Sequence, residues 1–248
     1  MEDSRSGVGW VPGTGRTILP QNEQEKEKTE VTFDFSEENI AKAKASFKKP
    51  YAGARGPFYT GDRKNWKFDN DDIELFRDAV WQGYLDASRT FRGIKYTDTN
   101  RKAFDNLAAA IRNYLNGNEG FDHEDWCKKF ISEVKQDNNY NVKYGQAQKV
   151  VNMAFKYLYC CEGAPVERFT PCHMPLDKIT LLWYFSETGT YYEEWSYFAR
   201  PLYSKVQEEI SKLLNDKAKV LDAELVIYEQ LRPNCVVDLK KEYGHDSE

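Results

Sequence analysis

In the stretch YGQAQKVVNMAFKYLYC, Tyr144 to Cys160, the residues Lys149, Asn152 and Lys156 recur at spacings of three and four. At a helical period they share one face, while Ala147, Val150, Val151, Ala154, Phe155 and Leu158 share another. Further on, the loop CHMPLD carries His173, a candidate acid–base group, and ends in Asp177, which the loop would aim into a cleft against the preceding helix. Each residue also has a plainer reading. The lysines would be the wet side of a core helix. Asp177 would be an acid stabilised by the dipole of the next helix.

The region around the helix is locally basic. Between Lys128 and Cys160, Lys128, Lys129, Lys135, Lys143, Lys149 and Lys156 face only Glu133 and Asp137. Lys143, Tyr144, Gly145, Gln148, Asn152 and Lys156 form a candidate nucleic-acid-binding set. Helix-end amides, with Gly145 admitting close approach, would hold a phosphate.

The elements that must position these residues read as helices. SEENIAKAKASF (Ser36 to Phe47) starts on a natural N-cap, and Pro50 stops it. NDDIELFRDAVWQGYLDASR puts Ile73, Phe76, Val80, Trp81 and Tyr84 on one stripe. The next helix turns Phe104, Leu107, Ala108, Ile111 and Leu115 inward and stops at Asn116-Gly117. Asp122 caps a helix bearing Trp126, Phe130 and Val134. PLDKITLLWYF starts at Pro175, a residue favoured in a first turn. Two more helices span 201–215 and 220–231. No strand pair with a tight turn and no sustained heptad is present. TGTYYEEWSYF, Thr188 to Phe198, reads as a surface turn followed by an aromatic anchor.

The expected class is mostly α: a single orthogonal helical bundle with a long irregular N-terminal arm. Residues 1–30 form a polar, Gly- and Pro-containing tail, 31–68 a short helix and extended arm, 69–235 the helical domain and 236–248 a second tail. The arm interleaves Lys48, Lys49, Arg55, Arg63, Lys64 and Lys67 with Tyr51, Phe58, Tyr59 and Trp66. That pattern suits single-stranded nucleic acid or an arm docked by its rings.

The chain has 248 residues and a net charge of -5, which argues against a generic polyanion binder. No apolar run reaches membrane-spanning length, so no membrane partner is expected. The five cysteines and the lack of a secretory signal point to reduced thiols in a cytoplasmic protein.

A lysine-bearing helix, a loop ending in an apolar-Pro-x-Asp turn (Met174 to Asp177) and a following apolar helix together resemble the catalytic segment of helix-hairpin-helix DNA glycosylases. The resemblance covers about residues 143–184. It implies that Lys149 is the nucleophilic lysine of the bifunctional members and Asp177 the assisting aspartate. A flipped base would then be held by rings such as Tyr144 or Trp183. The chain departs from the family in lacking its glycine-rich hairpin, of which Gly145 alone is left, and in a longer Lys-to-Asp separation.

Two further patterns bear on chemistry. His123 and Cys127 share a helix face, and Cys160, Cys161, Cys172 and His173 come later in the chain, but no recurrent zinc spacing appears. Neither a metal nor a cofactor is expected. RFTPCH, Arg168 to His173, resembles the Arg-x4-His pattern of HEPN-type ribonucleases, with Pro171 against a helix there. Three functions stay open: a DNA- or RNA-acting, glycosylase-like enzyme, a non-catalytic protein-interaction or inhibitor protein that binds another protein through its N-terminal arm, and a HEPN-like ribonuclease.

Overall fold

The computed structural model describes residues 32–48, 66–91, 98–134 and 141–243. Most of the basic and aromatic arm, residues 49–65, and the tail before Thr32 lie outside them. Met1–Thr32 and Phe33–Glu248 are separate units, and every helix belongs to the second.

Among the described residues eight α-helices make up the fold: α1 (Glu37–Lys48), α2 (Ile73–Ala87), α3 (Asp98–Leu115), α4 (His123–Glu133), α5 (Tyr144–Tyr159), α6 (Lys178–Thr188), α7 (Arg200–Leu214) and α8 (Val220–Tyr243). The protein is mostly α, as its periodicity predicts. Among the described residues the only bridge between extended segments is Lys67 with Glu162. No described helix is long and apolar enough to cross a membrane. Three starts carry an acidic cap: Asp72 accepts from the Glu74 N–H, Asp122 from that of Asp125, and Asp177 from those of Ile179 and Thr180.

Two boundaries differ from the sequence expectation. α6 starts at Lys178, not Pro175, because the Asp177 carboxylate offers the free N–H groups of the first turn a better end than proline does. The last helix runs to Tyr243, past its expected end at 231.

Two apolar cores lie on either side of α5. The first is built from α1 to α5 and the start of α8, with Phe76, Phe104, Phe130, Ile111 and Phe155 among its buried side chains. Its rings meet edge to face, as Phe104 does with both Tyr84 and Phe130. The second gathers Met174, Leu176, Tyr184, Tyr203, Ile210 and Ile227 from α6, α7, α8 and the loop before α6. α5 lies between them, buried from Gly145 to Tyr159.

Two glycines set close approaches to α5. A Cβ at Gly83 would lie 2.6 Å from the Val150 carbonyl oxygen, so α2 and α5 touch backbone to backbone. A Cβ at Gly145 would lie 2.0 Å from the Trp195 carbonyl oxygen. The Gly145 N–H donates to Phe198 O at 3.0 Å, so the 195–198 segment closes the N-terminal end of α5.

Candidate functional site

The polar line of α5 does not face solvent. It is buried: Lys149 and Asn152 meet the loop before α6, and Asn152 also α7, beside the second core, and Lys156 meets Glu224 near the start of α8. Lys149 is only 5% exposed, and its Nζ lies 2.7 Å from Asp177 Oδ2. Asp177 divides its oxygens: Oδ1 caps α6 by accepting from Ile179 N (2.9 Å) and Thr180 N (3.0 Å), while Oδ2 receives the ammonium. One carboxylate thus serves as both helix cap and counter-ion: the capping role expected of Asp177 holds, while Lys149 is not on the wet side of the helix.

Charge and burial compete at this pair. Burial alone would pull the Lys149 pKa down, but the Asp177 charge and its hydrogen bond outweigh it, so the amine is held protonated above the ordinary lysine value. Burial likewise pushes the Asp177 carboxyl up, and the Lys149 charge and hydrogen bond, with the Thr180 N–H, bring it below its ordinary value. A nucleophilic lysine needs the opposite shift.

One turn further on, Asn152 anchors an amide network. Its Nδ2 donates to Gln148 Oε1 (2.9 Å), Tyr203 Oη (2.9 Å) and Met174 O (3.4 Å). Gln148 Oε1 also accepts from Leu176 N at 3.4 Å, and its Nε2 donates to Leu176 O at 3.3 Å. Gln207 of α7 treats Met174 in the same way, accepting from its N–H at 3.0 Å and donating to its carbonyl at 2.7 Å. The loop from Cys172 to Asp177 is irregular yet mostly buried, so its backbone groups need partners that no helix or sheet supplies. Three side-chain amides provide them.

His173 does not point toward Asp177. Its Nδ1 accepts from Tyr203 Oη at 2.9 Å, and its ring lies 4.4 Å from that of His123. His123 Nε2 donates to Asn152 Oδ1 at 2.9 Å, which fixes its tautomer. Both imidazoles are neutral: burial lowers the His173 pKa to about 4 and puts that of His123 well below its ordinary value. Arg168 lies at the surface with its guanidinium against Gly117, so the Arg168–His173 pair does not stand at a helix start. Cys127 Sγ is 3.8 Å from the His123 ring, and among the described residues no three His, Cys, Asp or Glu side chains converge to hold a metal ion.

At the far end of the line, Lys156 Nζ lies 2.5 Å from Glu224 Oε2 with both side chains buried. The contact misses hydrogen-bond geometry, and among the described residues neither group has another hydrogen-bond partner. The ring centroids of Phe47 and Tyr228 lie 4.3 and 4.7 Å from the ammonium.

Of the candidate nucleic-acid set, Lys143 alone is exposed; Tyr144 is half-buried, and Gly145, Gln148, Asn152 and Lys156 are buried. At the α5 terminus expected to take a phosphate, the Gly145 N–H donates instead to the Phe198 carbonyl, and the Trp195 carbonyl packs against Gly145. Sequence reasoning missed Tyr203, Gln207 and Glu224. Glu224 alone left a signal, a carboxylate set in the apolar run LDAELVIY. No family model, curated protein or solved structure matches the chain.

Proposed function

We propose that the chain is a non-catalytic, helical protein-binding protein. The observation carrying the non-catalytic part of this reading is the Lys149–Asp177 contact: a buried ammonium, held protonated, 2.7 Å from a carboxylate whose other oxygen caps a helix. An ammonium held protonated in this way has no lone pair to offer a substrate. The neighbouring histidine is likewise used as an internal acceptor from Tyr203.

Borohydride trapping on DNA bearing abasic sites or damaged bases tests the reading. No covalent adduct is expected. An adduct formed by the native chain and lost in Lys149→Met would overturn it. The same short Lys149–Asp177 distance favours a second reading, the glycosylase-like enzyme, because that chemistry needs both groups within reach of one sugar. It requires the pair to open on DNA, and that adduct would be its signature.

A further inference from the structure

Of the eight helices, α1 is the most lightly seated. Among the described residues it buries Ala43 alone, fewer than any other helix. Among the helices it packs chiefly on α8. The face it turns inward is largely polar. Lys44 Nζ lies 3.0 Å from Asp222 Oδ1 and 4.0 Å from the centre of the Tyr159 ring. Ser46 Oγ donates to Glu229 Oε2 at 2.7 Å. Phe47, three residues after Lys44, sets its ring against the Lys156 ammonium and meets the Trp66 and Tyr157 rings.

Beneath α1 lie groups that water would suit. Lys156 Nζ and both Glu224 carboxylate oxygens are buried without a hydrogen bond among the described residues. A buried ion pair lacking hydrogen bonds recovers part of its desolvation cost when water reaches it. Lifting α1 takes the Phe47 ring off the ammonium, so this opening costs less than that of a helix over a wholly apolar face. The α8 face itself is acidic. From Val220 to Leu231 the chain has Asp222, Glu224 and Glu229 and no lysine or arginine. α1 answers it with a lysine on Asp222, a hydroxyl on Glu229 and a ring on the Lys156 ammonium. Any other occupant must offer the same groups. An acidic helix or a polyanion would set like charge against Asp222 and Glu229.

We propose that α1 is a displaceable cover, and that the α8 face beneath it docks a partner protein's helix bearing a lysine with an aromatic residue three positions on. This rests on the reading of the chain as a binding protein and names the face and the class of partner.

Amide hydrogen exchange on the full chain tests the cover. α1 should exchange through its own opening while α5 stays protected. Lys44→Ala should speed exchange in α1 about tenfold and leave α5 unchanged, the size expected for one part-buried ion pair with its ring contact. Lys42→Ala, on the exposed side of α1, should change neither.

A labelled peptide of the α1 sequence, Ser36 to Lys48, tests the face. It should bind the Lys44→Ala, Phe47→Ala chain saturably and about tenfold more tightly than the native chain, whose own α1 occupies the face. Should that double variant melt early, Lys44→Ala alone serves, with a smaller gain. The same peptide carrying Lys44→Ala and Phe47→Ala should bind about tenfold more weakly. Asp222→Asn with Glu229→Gln in the loosened chain should weaken binding similarly, and asparagine keeps an acceptor for the Tyr159 hydroxyl. Glu193→Gln with Glu194→Gln, an equal change of charge at exposed acids elsewhere, should leave it unchanged.

α1 amides that exchange only together with those of α5 would overturn the proposal. So would equal peptide affinity for the native and loosened chains, or an affinity that follows net charge alone. A native dimer that dissociates on Phe47→Ala would overturn it too, assigning the face to α1 of a second copy. Failure of peptide binding without a borohydride adduct removes this face alone; an adduct lost in Lys149→Met removes the underlying reading.

Discussion

Lys149 and Lys156 stand two turns apart on the same face of the same helix, and each meets a carboxylate, yet the two carboxylates are displaced in opposite directions. Burial pushes the Glu224 carboxyl above its ordinary value despite Lys156 and Lys149 beside it. The Asp177 carboxyl is pulled below its ordinary value although burial presses it upward too. The difference lies in what else each carboxylate touches. Asp177 sits at a helix start, takes two backbone N–H groups and retains 18% side-chain exposure. Glu224 lies past the first turn of α8 with no hydrogen-bond donor among the described residues, facing an ammonium flanked by rings. An ion pair completed by hydrogen bonds stabilises its charges; one lacking them depends wholly on its partner.

The contrast can be broken experimentally at the fully buried end first. Glu224→Gln should cost about 4 kcal/mol in urea unfolding, because it strands the Lys156 charge. The pair substitution Lys156→Met with Glu224→Leu should recover most of it, and a loss as large as that of Glu224→Gln would show that the pair itself is stabilising.

The histidines between the two pairs give the next effect. Their folded pKa values are depressed, so above about pH 6.5 they are neutral in both states and stability is unaffected. As pH falls below that, the unfolded chain takes up protons first and stability drops, by about 3 kcal/mol for His173 by the time pH reaches its folded value of about 4. His173→Gln should flatten the profile over that window. An unchanged slope would place the titration elsewhere. The Asp177 carboxyl is depressed as well, so its contribution is also lost on acidification, but at lower pH, as pH falls past the ordinary aspartate range toward its folded value.

At the hydrogen-bonded end, Lys149→Met should cost about 2 kcal/mol, less than Glu224→Gln, since Asp177 keeps its two N–H donors. A larger loss than at Glu224 would reverse the comparison. Smallest of all, Asp177→Asn placed on Lys149→Met should change stability by no more than about 0.5 kcal/mol in thermal melts, because asparagine caps a helix as well as aspartate does.

The apolar periods carry the helices. Phe76, Val80 and Tyr84 of α2, and Phe104, Leu107, Ala108, Ile111 and Leu115 of α3, are buried where their spacing puts them. The polar line of α5 is legible as a line but not as buried, since period alone does not say whether a second core covers a face. The site residues divide in the same way. The pairing of Lys149 with Asp177 is an expectation of the glycosylase resemblance alone; that they neutralise each other depends on Asp177 falling at the N-cap itself, a shift of α6 by a few positions. The amides of Gln148, Asn152 and Gln207 hold an irregular loop, and no local pattern marks which loop a distant amide will hold.

The seating of α5 between two cores also bears on the order of synthesis. When α5 leaves the ribosome its apolar face can already meet α2, but Lys149 waits 28 residues for Asp177, and Lys156 waits until α8 has been made. Through that interval the nascent chain carries a half-built domain whose central helix still needs water along one side. A chain released after α7 would therefore stay unfinished, with a lone ammonium where Glu224 belongs, and would be a natural substrate for chaperones or proteases.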